Sequence, residues 1–205
     1  MTEPSTRGTL TRAAVLAVAR DLLVADGLAG VSLRKVANRL GVTAPALYAH
    51  VESKDELLRA LAEEEFEHLI ARLNAAADAP DPIGRIRAQS VAYVEHALEN
   101  PALFHIMFVF RPDSVGPDNV EVLPLASKAF AEATAAVQDA IEAGLLVETD
   151  ALMASLTIWS AVHGVATVLL ARPGLGRDYE RALIDSVVDN VLAGLTGTSR
   201  TREGA

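Results

Sequence analysis

The chain has 205 residues, of which 51% are hydrophobic and 22% charged, and its 27 acidic side chains outnumber 18 basic ones for a net charge of −9. That is enough apolar material for a buried core, excludes global disorder, and at roughly 150 residues per domain fits one domain or two. The absence of cysteine removes disulfides, thiolate nucleophiles and cysteine-ligated zinc or iron–sulfur centres. No long apolar stretch follows a basic one near the start, so no secretory signal is expected and a cytoplasmic protein is the default. Aromatic residues make up only 4%, Ala and Leu are abundant, and alternating β-branched runs are few. Ala and Leu lose least on entering a helix, so the expected fold class is all-α.

In chain order, residues 1–8 read as a polar, flexible arm. A helix begins near Thr9 or Thr11 and carries Leu16, Ala19 and Leu23 on one face; Asp26-Gly27 ends it. Ser32 caps a short helix with Val36, Ala37 and Leu40 as apolar positions, and Gly41 follows where a left-handed backbone is needed. Thr43 caps a third helix from Ala44 to about His50, with Pro45 in its first turn. Ser53 and Glu56 form a capping box that opens a long helix to about Ala77. The linker Asp78-Ala79-Pro80-Asp81-Pro82 interrupts the pattern. Helices are then expected over about 83–99, 101–110, 121–144, 150–171 and 178–195. Breaks fall at a loop over about 111–119 and at Arg172-Pro173-Gly174, and 196–205 form a flexible tail. About nine helices result. They divide into a head over 1–55 and a helical body over 56–195.

Charge separates these parts. Residues 1–51 hold six basic residues (Arg7, Arg12, Arg20, Arg34, Lys35, Arg39) against three acidic ones, and the remainder holds twelve against twenty-four. A basic head on an acidic body can offer the head to a polyanion while the body is repelled. Two short helices joined through a turn glycine make a helix-turn-helix, whose second helix is the recognition helix. Val36, Leu40, Val42, Leu47 and Val51 can close a small core with the first helix. Thr43, Ala44, Pro45 and Ala46 are small or compact, so the third helix can approach a major groove closely, and its free N–H groups suit a phosphate. Tyr48, His50 and Lys54 can donate to phosphates. Ala44 and Ala46 can meet thymine methyls but make no bidentate hydrogen bonds, so reading rests on Thr43, backbone approach and DNA shape. Taken singly, Tyr48 is as readily a half-buried packing residue, His50 an ordinary surface histidine and Lys54 a solvated one; their common register carries the reading.

These residues resemble the DNA-binding signature of the TetR family of transcriptional regulators. The matching features are Arg34-Lys35, Ala37, Leu40-Gly41-Val42, Ala44-Pro45-Ala46-Leu47-Tyr48, His50 and Ser53-Lys54. The resemblance implies DNA contacts from Ser32, Arg34, Thr43, Ala44, Pro45, Ala46, Tyr48, His50 and Lys54. It covers about 30 residues closely and about 50 with the preceding helix. Two further phrases, Asn100-Pro101-Ala102-Leu103-Phe104-His105-Ile106-Met107-Phe108 and Trp159…His163-Gly164, resemble the family's subgroup with a Trp…His-Gly C-terminal domain. The implied function is a ligand-released repressor acting as a homodimer on a near-palindromic double-stranded operator. Helices about 150–171 and 178–195 would form the dimer interface, with Ala154, Ala161 and Gly164 allowing close approach.

The run 151–171 has no charged residue and is long enough to span a bilayer. Ser155, Thr157, Ser160, His163 and Thr167 interrupt it and no aromatic belt frames it, so a helix buried in the core and in a partner is preferred and no membrane is expected. Candidate ligand contacts are Phe66, Tyr93, Phe104, Met107, Phe108, Trp159 and His163, each of which can equally be plain core. A pocket of this composition suits a small hydrophobic or aromatic effector. Glu65 and His68 have the spacing of a di-iron motif, but only one copy occurs and a solvated charged face is the preferred reading. No phosphate loop or nucleophile elbow occurs, so neither a catalytic residue nor a metal or other cofactor is expected. The alternative from another class is a small-molecule-binding or catalytic helical bundle with no DNA role.

Overall fold

The computed structural model describes residues 10–108, 124–147, 150–171 and 174–197. Among them it is all-helical, with nine helices and no strand: α1 (Arg12–Gly30), α2 (Leu33–Leu40), α3 (Ala44–Tyr48), α4 (Lys54–Ala76), α5 (Pro82–Glu99), α6 (Pro101–Phe108), α7 (Pro124–Glu142), α8 (Ala151–Ala171) and α9 (Arg177–Leu195). The expected arm, the 111–119 loop and most of the tail lie outside the described residues.

Local chemistry sets the helix starts. Thr11 Oγ1 accepts from Ala14 N at the head of α1, and Ser32 Oγ accepts from Lys35 N at the head of α2. Asp81 Oδ1 accepts from Gly84 N at α5, and Asp150 Oδ1 accepts from both Leu152 N and Met153 N at α8. Each oxygen satisfies backbone donors that the helix itself leaves unpaired. Ser53 Oγ accepts from Glu56 N as expected, but the reciprocal arm of the box is displaced. The Glu56 carboxylate takes the N–H of Glu52 instead of Ser53. That bond is the main reason its pKa lies below the ordinary carboxylate value, with the nearby Arg12 lowering it further.

The expected end of α1 at Gly27 is a break within it. Gly27 has φ 67°, a left-handed value, and a short helical turn continues to Gly30. Gly41 ends α2 at φ 67°, ψ 30°, as its position predicts, and its N–H closes back on Ala37 and Asn38 carbonyls.

The described residues fall into two compact units. One holds residues 10–65 with 102–108, and the other holds 66–101 with 124–197. The division lies inside α4, between Glu65 and Phe66, ten residues beyond the expected boundary at 55. In the first unit α1 packs on α2 and α2 on α3. In the second, α5 packs against α7, α8 and α9, and α8 lies against α5, α7 and α9.

By length and composition alone, α8 is the single helix among the described residues that could cross a membrane, with mean hydropathy 1.6. Its inward face, including Ala154, Ile158, Val162 and Leu169, is buried against its neighbours. Its other face leaves Leu152, Met153, Leu156 and Val168 exposed. A helix apolar all round is thus half core and half uncovered, as one with a partner on its outer side would be.

Candidate nucleic-acid interface and effector site

The head is built on a small apolar wedge. Val15, Leu16, Ala19, Leu22 and Leu23 of α1 are buried, as are Val36 of α2 and Leu47 and Val51 around α3. Leu40 and Val42, expected in the same core, are half-buried. Leu47 faces inward at 1% exposure while its neighbour Tyr48 is 53% exposed. A single step along the helix, about 100° of rotation, therefore separates a residue that holds the fold from one that the fold does not use.

The leading edge of α3 is open. Thr43, Ala44, Pro45 and Ala46 are all exposed. Thr43 occupies the N-cap position without a side-chain capping bond, which overturns the expectation that its hydroxyl caps the helix. Arg34 stands exposed on α2, and Ser32 is half-buried with its Oγ engaged at the α2 cap. Lys35, Asn38 and Arg39 share exposed positions on α2; the exposed turn of a polar helix beside a recognition helix is the signal that could have added them.

Of the expected phosphate donors, Lys54 has a side-chain partner of its own and His50 is engaged through its backbone. Lys54 is half-buried and its Nζ donates to the Leu28 carbonyl at 3.0 Å. That carbonyl belongs to the short turn after the Gly27 break, so Lys54 ties the end of α1 to the start of α4. His50 is half-buried, and its carbonyl accepts from Arg12 Nη1 at 2.8 Å. An ammonium has three donors, so the bond to Leu28 uses one of them.

In the second unit, three expected ligand residues come together. Tyr93 of α5 is buried, and its hydroxyl lies 2.8 Å from His163 Nδ1 and 3.3 Å from Trp159 Nε1, both on α8. An indole N–H only donates, so the Tyr93 hydroxyl accepts from Trp159, while its bond to His163 Nδ1 runs in the direction that the imidazole tautomer sets. Burial lowers the His163 pKa, and burial drives the Tyr93 pKa well above the phenol range. Both shifts favour the neutral forms of Tyr93 and His163, beside an indole that does not ionise. Phe130 of α7 lies edge-on to Trp159, with centroids 6.5 Å apart. The sequence reading missed Phe130, since only packing of α7 on α8 brings the two rings together.

Phe66 is buried on α4. Phe104 and Met107, both buried, and Phe108, half-buried, belong to α6 in the first unit, where the Phe104 and Phe108 rings meet at a tilt of 54° with centroids 4.9 Å apart. The Glu65–His68 reading needs correction. Glu67 and His68 are exposed, but Glu65 is 1% exposed and paired with Arg20. No group of three or more metal-ligating side chains occurs among the described residues.

An exposed recognition edge on a two-helix wedge, joined to a helical body, defines a helix-turn-helix DNA-binding regulator. Residues 15–61 match the model described as bacterial regulatory proteins, tetR family, and residues 86–191 match the tetracyclin repressor-like C-terminal domain. The chain belongs to the TetR family of transcriptional regulators. The Trp…His-Gly subgroup is a finer division than that description makes.

The chain is 28% identical over 192 residues to the uncharacterized HTH-type transcriptional regulator Rv0681 of Mycobacterium tuberculosis, covering 91% of this chain and 82% of that protein. It is 35% identical over 113 residues to the tetracycline repressor protein class D of Escherichia coli, covering 55% of this chain and 51% of that one. Among solved structures, a protein of unknown function from Rhodococcus sp. RHA1 superposes with a TM-score of 0.80 at 28% identity, over 95% of this chain and all of that one.

Proposed function

We propose that this regulator is a repressor that binds a near-palindromic operator as a homodimer and is released by a small hydrophobic or aromatic molecule. The observation that carries the reading is the bare edge of α3, where four small or compact residues and Tyr48 are exposed together. Nothing in the fold needs Tyr48 to be aromatic, and Thr43 has a hydroxyl not spent on capping. Thr43, Ala44, Pro45 and Ala46 are assigned to the major groove, where the alanines suit thymine methyls. Ser32, Arg34, Tyr48, His50 and Lys54 are assigned to the flanking backbone and the groove edge, with Lys54 using a donor beyond the one given to Leu28. The DNA-reading surface is assigned to residues 1–55, and the effector and dimer surfaces to positions within 56–195.

The dimer is assigned to α8 and α9. Leu152, Met153, Leu156 and Val168 form an apolar strip along α8 that its own bundle leaves uncovered. Gly164 lies on the exposed side with open space around it, so a partner helix can come close there. Ala154 is fully buried within its own bundle and is withdrawn from that interface. The effector is assigned to the Tyr93, Trp159 and His163 cluster, with Phe66 of the same unit as a further apolar contact. A neutral, mostly aromatic cluster favours a neutral ligand. The repressor assignment draws on the name of the tetracycline repressor relative. A protein of this kind works on DNA in the cytoplasm.

Selection of bound duplexes from random DNA tests the reading. The expected product is an inverted repeat with half-sites about one helical turn apart, bound by two chains. Equal affinity for selected and random duplexes at matched salt would overturn it. Apolar and aromatic compounds are then screened for release, and a released complex must show different ligand affinity in its free and DNA-bound forms.

A further inference from the structure

Among the described residues, Glu65 is the most deeply buried charged side chain, at 1% exposure. It sits on α4 one turn from Leu61 and one turn from Leu69, both buried. A carboxylate in that apolar stripe is costly unless a cation meets it. Arg20 of α1 does so: Nη1 lies 3.0 Å from Glu65 Oε2, and Nη2 lies 3.0 Å from Glu64 Oε2. One planar guanidinium therefore grips two consecutive carboxylates with two different nitrogens. A fork held at both prongs dictates direction as well as distance.

Two more cations work along the same stretch. Arg12 Nη1 donates to Glu56 Oε1 at 2.7 Å and Lys54 Nζ donates to Leu28 O at 3.0 Å. The three ties span residues 54–65, about three turns of α4. Farther along, the helix changes partner. Arg72 pairs with Glu95 and Glu99 of α5, and the Leu73 carbonyl accepts from Gln89 Nε2. The boundary between the two compact units falls directly after Glu65. The Arg20 fork thus closes the hold on α4 at the last residue of that helix within the first unit.

A buried ion pair adds little net stability over an apolar pair of similar size. What it supplies here is a single permitted orientation. We propose that Glu65, with Glu64 and Arg20, is a positioning group for DNA binding. It makes the first three turns of α4 part of the reading head, so that the head keeps one direction relative to the helix leading out of it. In a dimer that direction sets where the two recognition edges fall on the duplex. The proposal rests on the dimeric operator reading above.

The test uses the full-length protein and duplexes that the wild type itself selects, as a full site, as an isolated half-site, and as full sites with one base pair added or removed between the halves. Glu65→Gln keeps size and one acceptor while removing the charge. The double variant Arg20→Gln with Glu65→Gln leaves no unpaired charge buried. In the double variant the full-site advantage over the half-site falls on the order of tenfold, as for typical coupling between sites. Half-site affinity stays within about twofold, the salt slope is unchanged because no phosphate contact is lost, and discrimination among spacings flattens. A wild type with no full-site advantage defeats the dimeric reading and not this one alone. A wild type that has the advantage, with a folded double variant that retains both it and the spacing discrimination, overturns the positioning role. So does an equal loss on half-site and full site, or a loss of fold in both variants, either of which assigns the fork to stability alone.

Discussion

The head and the body spend their aromatic and polar residues in opposite ways. In the head, the residues assigned to DNA are outside the core: Thr43, Ala44, Pro45, Ala46 and Tyr48 are exposed, while Val36, Leu47 and Val51 hold the wedge from within. In the body, the residues assigned to the effector are themselves packed. Tyr93 is 7% exposed, and Trp159 and His163 are half-buried beside it. Substitutions in the head should therefore separate binding from stability. In the body the same atoms serve packing and recognition, and one substitution should move both.

The largest expected effect tests the separation inside α3. Leu47→Ala removes a fully buried side chain and should cost about 2–5 kcal/mol, read by chemical denaturation. Tyr48→Ala, next in sequence, should change stability by less than about 0.5 kcal/mol, the usual range for a surface site. It should nevertheless weaken binding to all duplexes. Similar stability losses for the two would remove the contrast. Thr43→Ala sharpens it further, with a loss of roughly 1–3 kcal/mol on selected DNA if the hydroxyl reads a base. Equal losses on selected and random duplexes would reassign Thr43 to a phosphate.

Tyr93→Phe tests the other side. It leaves Trp159 Nε1 and His163 Nδ1 without the hydroxyl between them. A buried group that loses its partner costs about 1–3 kcal/mol, and effector release should shift with it. A variant that melts like the wild type and releases at the same ligand concentration would show that the hydroxyl serves neither role. Lys54→Ala is a smaller change. If one of its donors reaches a phosphate, the slope of log affinity against log salt should fall by about one unit. A slope unchanged from wild type, with weaker binding, would confine Lys54 to holding Leu28.

How much of this could be read from residues alone depends on the range of the interaction. The starts of α1 and α2 and the left-handed turn at Gly41 were legible because a cap acts within a few residues of itself. The exposed edge of α3 was legible because the wedge needs Leu47 inside, which puts its neighbours outside. The Tyr93 to His163 bond joins residues 70 apart, and the Phe130 to Trp159 contact depends on how α7 lies on α8. Neither leaves a local trace. Glu65 is an intermediate case. The run Glu63-Glu64-Glu65 reads as a solvated face, yet Leu61 and Leu69 lie four residues to either side of Glu65 and place it on the buried stripe. That spacing predicts burial and the need for a cation, though not that Arg20, 45 residues earlier, supplies it.

The smallest effect is the most specific to the body. Burial holds the His163 pKa below its ordinary 6.5, so on acidification the unfolded chain takes up this proton before the folded one does. Between the two pKa values the unfolded state binds more protons, and stability rises with pH. The contribution is complete above about pH 6.5 and is lost as pH falls through the folded value. His163→Gln offers an amide that can either accept from or donate to the Tyr93 hydroxyl, so the hydroxyl can keep a partner while the titration disappears. Melting temperatures of the two proteins measured from about pH 8 to pH 5 should diverge, the wild type falling more steeply on the acid side. The divergence should be small, because a half-buried ring is partly solvated in either charge state. Parallel curves would mean that His163 is no harder to charge when folded, and the neutral cluster assigned to the effector would lose its electrostatic basis.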